Sequence, residues 1–224
     1  MPTANRLTSD LPAHLTKILP PATRALWKAL AGNLPKGAYL VGGTGIAAHL
    51  GHRKSRDLDF FMAEPFQPAR LAKRIGRLGK LAVTQMEPGT LNCILDDTAL
   101  QFLDARDQAP VEPMEMIGGI PVAGLGDLLA TKLKVIGDRG ELRDYFDIFC
   151  LETEAGRTVE EGLAIFIQRY RPVTPEAAVL NIVRGLGYFG DVADDPGLSV
   201  RRLKLERYWK KRQPEILKSL DRRG

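Results

Sequence analysis

Tyr39-Leu40-Val41-Gly42-Gly43-Thr44-Gly45-Ile46-Ala47, followed across one polar loop by Asp57-Leu58-Asp59-Phe60-Phe61-Met62, is the stretch that decides how this chain folds. Ala38–Val41 is a short apolar run of strand length that meets a cluster of glycines, and the pattern then turns helical through Ile46, Ala47 and Leu50. The loop Gly51-His52-Arg53-Lys54-Ser55-Arg56 leads into a second strand, which Pro65 closes. Side chains alternate along a strand, so Asp57 and Asp59 point to one side while Leu58 and Phe60 point to the other. Aspartate is disfavoured inside strands, and a pair of them at this spacing asks for a chemical reason.

Two carboxylates held a few ångströms apart suit Mg²⁺, which keeps several waters and accepts one or two carboxylates together with substrate phosphates. Gly42, Gly43 and Thr44 sharpen that reading. Glycines allow backbone amides to approach a phosphate closely, the helix that follows opens with unsatisfied N–H groups, and Thr44 adds a hydroxyl. Arg53 and Ser55, candidates for NTP contact, lie with Arg56 in the loop before the acid pair, where the arginines either neutralise phosphates or pair with Asp57 and Asp59. Asp104, at the end of the strand Gln101-Phe102-Leu103, is the candidate third metal acid of a two-metal site, with Gln101 as the fallback. Asp96 and Asp97 suit a hairpin turn instead. Further along, Lys132, Lys134, Arg139 and Arg143 could hold a triphosphate, and Asp144 and Asp147 share a helix face; ordinary surface ion pairs are the competing account. His49 and His52 have no third nitrogen or thiol companion that would make a zinc site.

The rest of the chain extends this core. A helical lead-in runs to Asn33, interrupted at Pro20-Pro21, and a helix is expected over Pro68–Leu78. Strands are expected over Lys80–Met86, Leu91–Leu95 and Ala99–Leu103. Past Pro121 the pattern becomes helical: Asp127–Ile136, Glu141–Glu152, Val159–Tyr170, Pro175–Leu186 and about Ser199–Arg212. Strands first and helices later give an α+β fold with a mixed sheet, divided into residues 1–124 (core with helical lead-in) and 125–224 (helical region with a basic tail). The 224 residues are 44% hydrophobic, enough for a real core. No apolar run reaches the length of a membrane span and the start lacks the features of a signal peptide, so a cytoplasmic protein is expected. Cys93 and Cys150 read as buried hydrophobes. The net charge of +5 is concentrated at the end, where 201–224 carry ten Lys or Arg against Glu206, Glu215 and Asp221. Closely spaced cations of this kind attract a phosphate backbone, although they also suit a solvated helix face.

Taken together, 39–47, 50–61 and Arg143-Asp144-Tyr145-Phe146-Asp147 resemble the AbiEii/AbiGii toxin family of nucleotidyltransferases, with the likeness running from about Leu34 to Leu151. The resemblance implies a polymerase-β-like core, use of an NTP with Mg²⁺, and service as the toxin of a toxin–antitoxin or abortive-infection pair, with a cognate antitoxin as partner. Relatives transfer nucleotides to RNA, which here implies an RNA 3′ end, tRNA being the favoured acceptor. On the same grounds Asp57 and Asp59 are the metal acids, Gly43 and Thr44 the glycine–hydroxyl turn, Lys132 an NTP-contacting lysine and Asp144 a later catalytic acid. Thr44 stands where the wider superfamily usually has serine. Two other accounts stay open: an NTP- or partner-binding module without turnover, and transfer to a protein hydroxyl.

Overall fold

In a computed structural model the described residues, 11–221, form two compact units, 11–109 with Met114–Ala123 and Pro110–Pro113 with 124–221. The first ten residues of the lead-in and the last three of the basic tail lie outside the described residues.

The first unit is built on α1 (Ala13–Ile18), α2 (Pro21–Ala31), β1 (Ala38–Val41), α3 (Gly42–Leu50), β2 (Leu58–Met62), α4 (Pro68–Ile75), β3 (Leu81–Glu87), β4 (Thr90–Leu95), β5 (Thr98–Asp104), β6 (Glu115–Ile117) and β7 (Ile120–Val122). Its seven strands order as β3-β4-β5-β2-β1-β7-β6. β1 is antiparallel to β2 and parallel to β7, and β2 is parallel to β5, so the sheet is mixed and the fold is α+β. Leu58, Phe60 and Met62 of β2 are buried, with Asp59 and Phe61 half-buried on the opposite face. The buried face joins Leu91, Cys93 and Leu95 of β4 and Leu100 and Phe102 of β5, under Trp27 and Leu30 of α2 and Leu71 and Ile75 of α4. Phe60 stacks on Phe102 with ring centroids 5.1 Å apart. Each such side chain contributes roughly 1.5–3 kcal/mol on full burial, and this apolar layer fixes the register that sets out the polar face.

Two tight hairpins shape the sheet. Asp96 and Asp97 both take positive φ (44° and 66°) between the paired Leu95 and Thr98, as a two-residue turn of the twist-matched kind requires, and the short polar side chain of aspartate tolerates it. Gly118 and Gly119 do the same between β6 and β7, at φ 52° and 78°. Trp27 Nε1 donates to Gly118 O at 3.2 Å, which ties this hairpin to α2. The sequence reading has no strands here, because runs of three residues are too short to show an alternation.

The second unit comprises α5 (Leu125–Asp138), α6 (Leu142–Thr153), α7 (Val159–Tyr170), α8 (Pro175–Leu186) and α9 (Arg202–Asp221), with α5 packed against α6, α7 and α8. Asp127 is fully buried against Arg169 at 2.8 Å and also accepts from Val111 N and Glu112 N, so one carboxylate fastens the Pro110–Pro113 strap to α5. The helix α9 continues well past Arg212, through Pro214, because Ile216 is wholly buried and anchors the later turns. The expected helix ended at about Arg212, and a proline ordinarily removes a donor and crowds the preceding turn. Among the described residues no helix is long and apolar enough to cross a membrane.

Candidate active site

Register brings the two motifs of the first unit together. Val41, the last residue of β1, lies opposite Asp59. The chain then enters α3 directly at Gly42, so the start of that helix sits beside the acid pair; the sequence reading had placed a longer turn here. Gly42 has φ +69°, and a Cβ built on it would overlap Asp59 Oδ2. Only glycine serves at 42: an L side chain would be strained there and would push the carboxylate aside. A helix N-terminus carries partial positive charge and unsatisfied N–H groups, which favours anions at this spot.

Asp57 immediately precedes β2, and its side chain is 47% exposed. Its position is set from behind. Thr44 is buried in α3 and its hydroxyl donates to the Asp57 carbonyl. That bond uses the one hydroxyl proton of Thr44, so in the contact between Thr44 Oγ1 and Ser55 Oγ the serine is the donor. Thr44 and Ser55, both read from sequence as phosphate-side residues, thus pin the loop that delivers Asp57. Arg56 Nε stands 3.9 Å from Asp57 Oδ1 on an exposed side chain, and Arg53 Nη1 donates to Lys54 O.

The structure does not bring Asp104 to this pair. β5 runs parallel to β2 with Gln101 alongside Asp59, while Asp104 falls beside Met62. Three residues along a strand span about 10 Å and reverse the facing. The Asp104 carboxylate is instead held bidentately by Arg106, with Nε at 2.9 and 3.0 Å and Nη2 at 2.7 Å. That hydrogen-bonded guanidinium keeps its pKa below the usual carboxylate value. The residue that shares the register and face of Asp59 is Gln101. Its Nε2 donates to Asn92 Oδ1 at 3.0 Å, and Asn92 Nδ2 donates to Gln85 Oε1 at 2.7 Å. This amide ladder crosses β5, β4 and β3 and uses the Gln101 amide nitrogen, not its oxygen. Gln85 and Asn92 went unremarked in the sequence reading, and alternation within each strand is the signal that would have found them.

The donors fit a hard cation. The carboxylate of Asp59, that of its near neighbour Asp57 and the side-chain amide of Gln101, in register with Asp59, offer the kind of oxygen donors that Mg²⁺ prefers. No group of three or more His, Cys, Asp or Glu able to hold a metal occurs among the described residues, so a protein-only cage is absent there.

In the helical unit, Lys132 Nζ bonds Asp144 at 2.6 Å and Asp147 at 2.8 Å, all three nearly inaccessible to solvent. Burial on its own disfavours the ammonium, and the Asp147 and Asp144 carboxylates outweigh it, holding the lysine pKa above its ordinary value. Asp144 also accepts from Glu141 N as part of the capping box that opens α6. Arg139 and Arg143 both bind Glu141, and Lys134 binds Asp138, so these cations form surface ion pairs.

No family model matches the chain. The uncharacterized protein aq_aa25 of Aquifex aeolicus (strain VF5) is similar at 26% identity over 200 residues, covering 87% of this chain and 95% of that one. Among solved structures, the nucleotidyltransferase toxin MenT4 of Mycobacterium tuberculosis H37Rv aligns with a TM-score of 0.61 at 18% identity, over 86% of this chain and 80% of that one. The antibiotic-resistance factor ANT(2″)-Ia aligns with a TM-score of 0.51 at 16% identity, over 75% of this chain and 96% of that one. With its mixed sheet and following helices, the chain has the fold of the nucleotidyltransferases.

Proposed function

We propose that this protein is a Mg²⁺-dependent nucleotidyltransferase that moves a nucleotide from an NTP to the 3′ end of an RNA, tRNA being the favoured acceptor. The observation that carries this reading is the meeting of Asp57 and Asp59 with the glycine-led start of α3, in a nucleotidyltransferase fold. Asp57 and Asp59 hold the cation and Gln101 borders them. The bound Mg²⁺ supplies charge neutralisation at the triphosphate. The N-terminus of α3 favours the anionic phosphates, and Thr44 and Ser55 keep Asp57 in place. A 3′-hydroxyl attacks the α-phosphorus, the bond to the β-phosphate oxygen breaks, and pyrophosphate leaves. Positioning and electrostatics do most of the work in such a reaction.

The likeness to MenT4 and the resemblance to the AbiEii/AbiGii family support a role as the toxin of a toxin–antitoxin or phage-defence pair, with an antitoxin protein as its partner. The resemblance gives Lys132 and Asp144 the roles of NTP contact and late acid; closed with Asp147 into a buried cluster, they act in this reading by holding α6 on α5, without touching the NTP. One observation favours a second reading: with Gln101 in register where a third carboxylate would stand, the site could bind an NTP without turning it over.

The test incubates purified protein with each labelled NTP, Mg²⁺ and total cellular RNA, beside Asp57→Ala. Label in RNA that disappears in the variant is the expected result. Label in protein moves the acceptor to a protein hydroxyl, and no label with any NTP supports the binding module.

A further inference from the structure

Around α4 a group of exposed cations gathers without a carboxylate partner among the described residues. The segment from Pro65 to Met86 contains Arg70, Lys73, Arg74, Arg77 and Lys80 and no acid at all. Arg70, Lys73 and Arg74 lie on α4. Arg77 follows in the turn whose N–H bonds back to Arg74 O, so the four cations continue an i, i+3, i+4, i+7 rhythm along one side. The opposite side of α4 is apolar: Leu71, Ala72 and Ile75 are buried in the core. The cations are all exposed, and among the described residues none of the four forms an ion pair. Together with Asn33 and Leu78 they line a surface hollow of about 300 Å³. Arg74 Nη2 donates to Leu34 O at 3.1 Å, which fixes one guanidinium at its edge.

Folding alone does not account for this arrangement. Cations in the last turn of a helix are mildly favourable, which covers Lys73 and Arg74, but like charges three and four residues apart oppose helix formation by a few tenths of a kcal/mol per pair. The tail contrasts with it. There, Arg202 and Lys210 both reach Glu206, and Arg212 bridges Glu152 and Glu160, so much of the basic character in α9 is neutralised internally. The larger net charge belongs to the tail, whereas the four cations of the α4 face have no carboxylate partner among the described residues.

We infer that the Arg70–Lys73–Arg74–Arg77 face is a binding site for the phosphate backbone of a nucleic acid, and that it engages the body of the RNA whose end is modified. The choice of RNA rests on the proposed nucleotidyl transfer to RNA; the charge complementarity stands by itself. A row of fixed cations around a hollow suits consecutive phosphates, each contact releasing condensed counterions. Because such contacts carry no base information, the site is expected to tolerate any sequence.

The experiment measures binding of bulk deacylated tRNA by fluorescence anisotropy from 50 to 200 mM salt, without NTP. Wild type is compared with Arg70→Ala/Lys73→Ala/Arg77→Ala and with a tail variant of equal charge, Arg201→Ala/Arg207→Ala/Lys211→Ala. All six positions are exposed, so both variants should fold, which circular dichroism checks. The α4 variant is expected to lower the slope of log affinity against log salt by about 2 to 3, so that raising salt fourfold weakens wild type about 16- to 64-fold more than the variant. The tail variant is expected to change the slope by less. An unchanged slope in the α4 variant overturns the inference, as does an equal loss in both. If the α4 variant instead loses binding to anionic phospholipid vesicles and keeps tRNA, the face is a membrane site and the inference fails. Binding that depends on α4 in a protein that transfers no nucleotide would sink the proposed reaction and leave this site standing; transfer with no α4 dependence would do the reverse.

Discussion

Substituting Gly42 by alanine separates what the glycine does for folding from what it does for the acid pair. At φ +69° an L residue costs about 1–2 kcal/mol. For a protein of this size that lowers Tm by about 2–8 °C. The added methyl also occupies the space of Asp59 Oδ2, so the carboxylate must swing away. A displacement on the order of 1 Å at a reacting centre costs roughly 10²-fold in rate. Gly156 supplies the control: it has φ +67° and no atom within 4 Å of a built Cβ. Gly156→Ala should therefore lose similar stability with normal activity, whereas Gly42→Ala should lose stability, activity and Mn²⁺ affinity together. The assays are thermal unfolding, pyrophosphate release with NTP and RNA, and Mn²⁺ titration. A folded Gly42→Ala protein with wild-type turnover and Mn²⁺ binding would refute the claim that Asp59 is held there for chemistry.

Further expectations concern other groups. Gln101→Asp adds a carboxylate in register with Asp59 and should tighten Mn²⁺ binding several-fold by calorimetry; unchanged affinity would place Gln101 outside the site. Lys132→Ala strands the Asp144 and Asp147 carboxylates in a buried setting, at a cost of about 3–5 kcal/mol, which denaturant unfolding reads as a lower midpoint; a loss below 1 kcal/mol would contradict the closed ion cluster. Burial raises the Cys93 thiol from 9.0 to about 11. Because the folded value lies above the unfolded one, its contribution is complete below pH 9 and declines as pH rises through about 11. The raised Lys132 pKa acts with the same sign, so the unfolding midpoint should fall at alkaline pH, and Cys93 should resist alkylation at pH 9 while the protein is folded. Phe102→Ala removes one ring of the Phe60–Phe102 stack and should cost about 3–5 kcal/mol by the same unfolding assay.

The parts of this structure that were legible in the sequence are those with a strong local pattern. Alternation placed β2 with Leu58 and Phe60 inward and Asp59 on the other face, and the strand runs gave the mixed sheet; helical periodicity gave α7 and α8 with their ends at Tyr170 and Leu186. What could not be read depends on strand order. Nothing local says that β5 lies parallel to β2 in the register that sets Gln101, and not Asp104, beside Asp59. A terminal acid after an apolar strand looks the same whether it meets a cation or, as here, its neighbour Arg106. The amide ladder has the same origin, since Gln85, Asn92 and Gln101 become neighbours only once β3, β4 and β5 are paired. Thr44 was legible as a residue near the acids but not as the donor to Asp57, because that bond closes across the loop between α3 and β2. Summed charge pointed to the tail, whereas the pairing of individual cations, visible only in three dimensions, points to α4.

Pyrophosphate release by the purified protein with each NTP, Mg²⁺ and total RNA, with and without EDTA, and beside Asp59→Asn, tests the central claim most directly. Release that requires the divalent cation and falls by at least 10²-fold in the isosteric variant is the expected result. Release that persists in EDTA, or that Asp59→Asn leaves intact, would contradict a metal-dependent nucleotidyltransferase working through this pair.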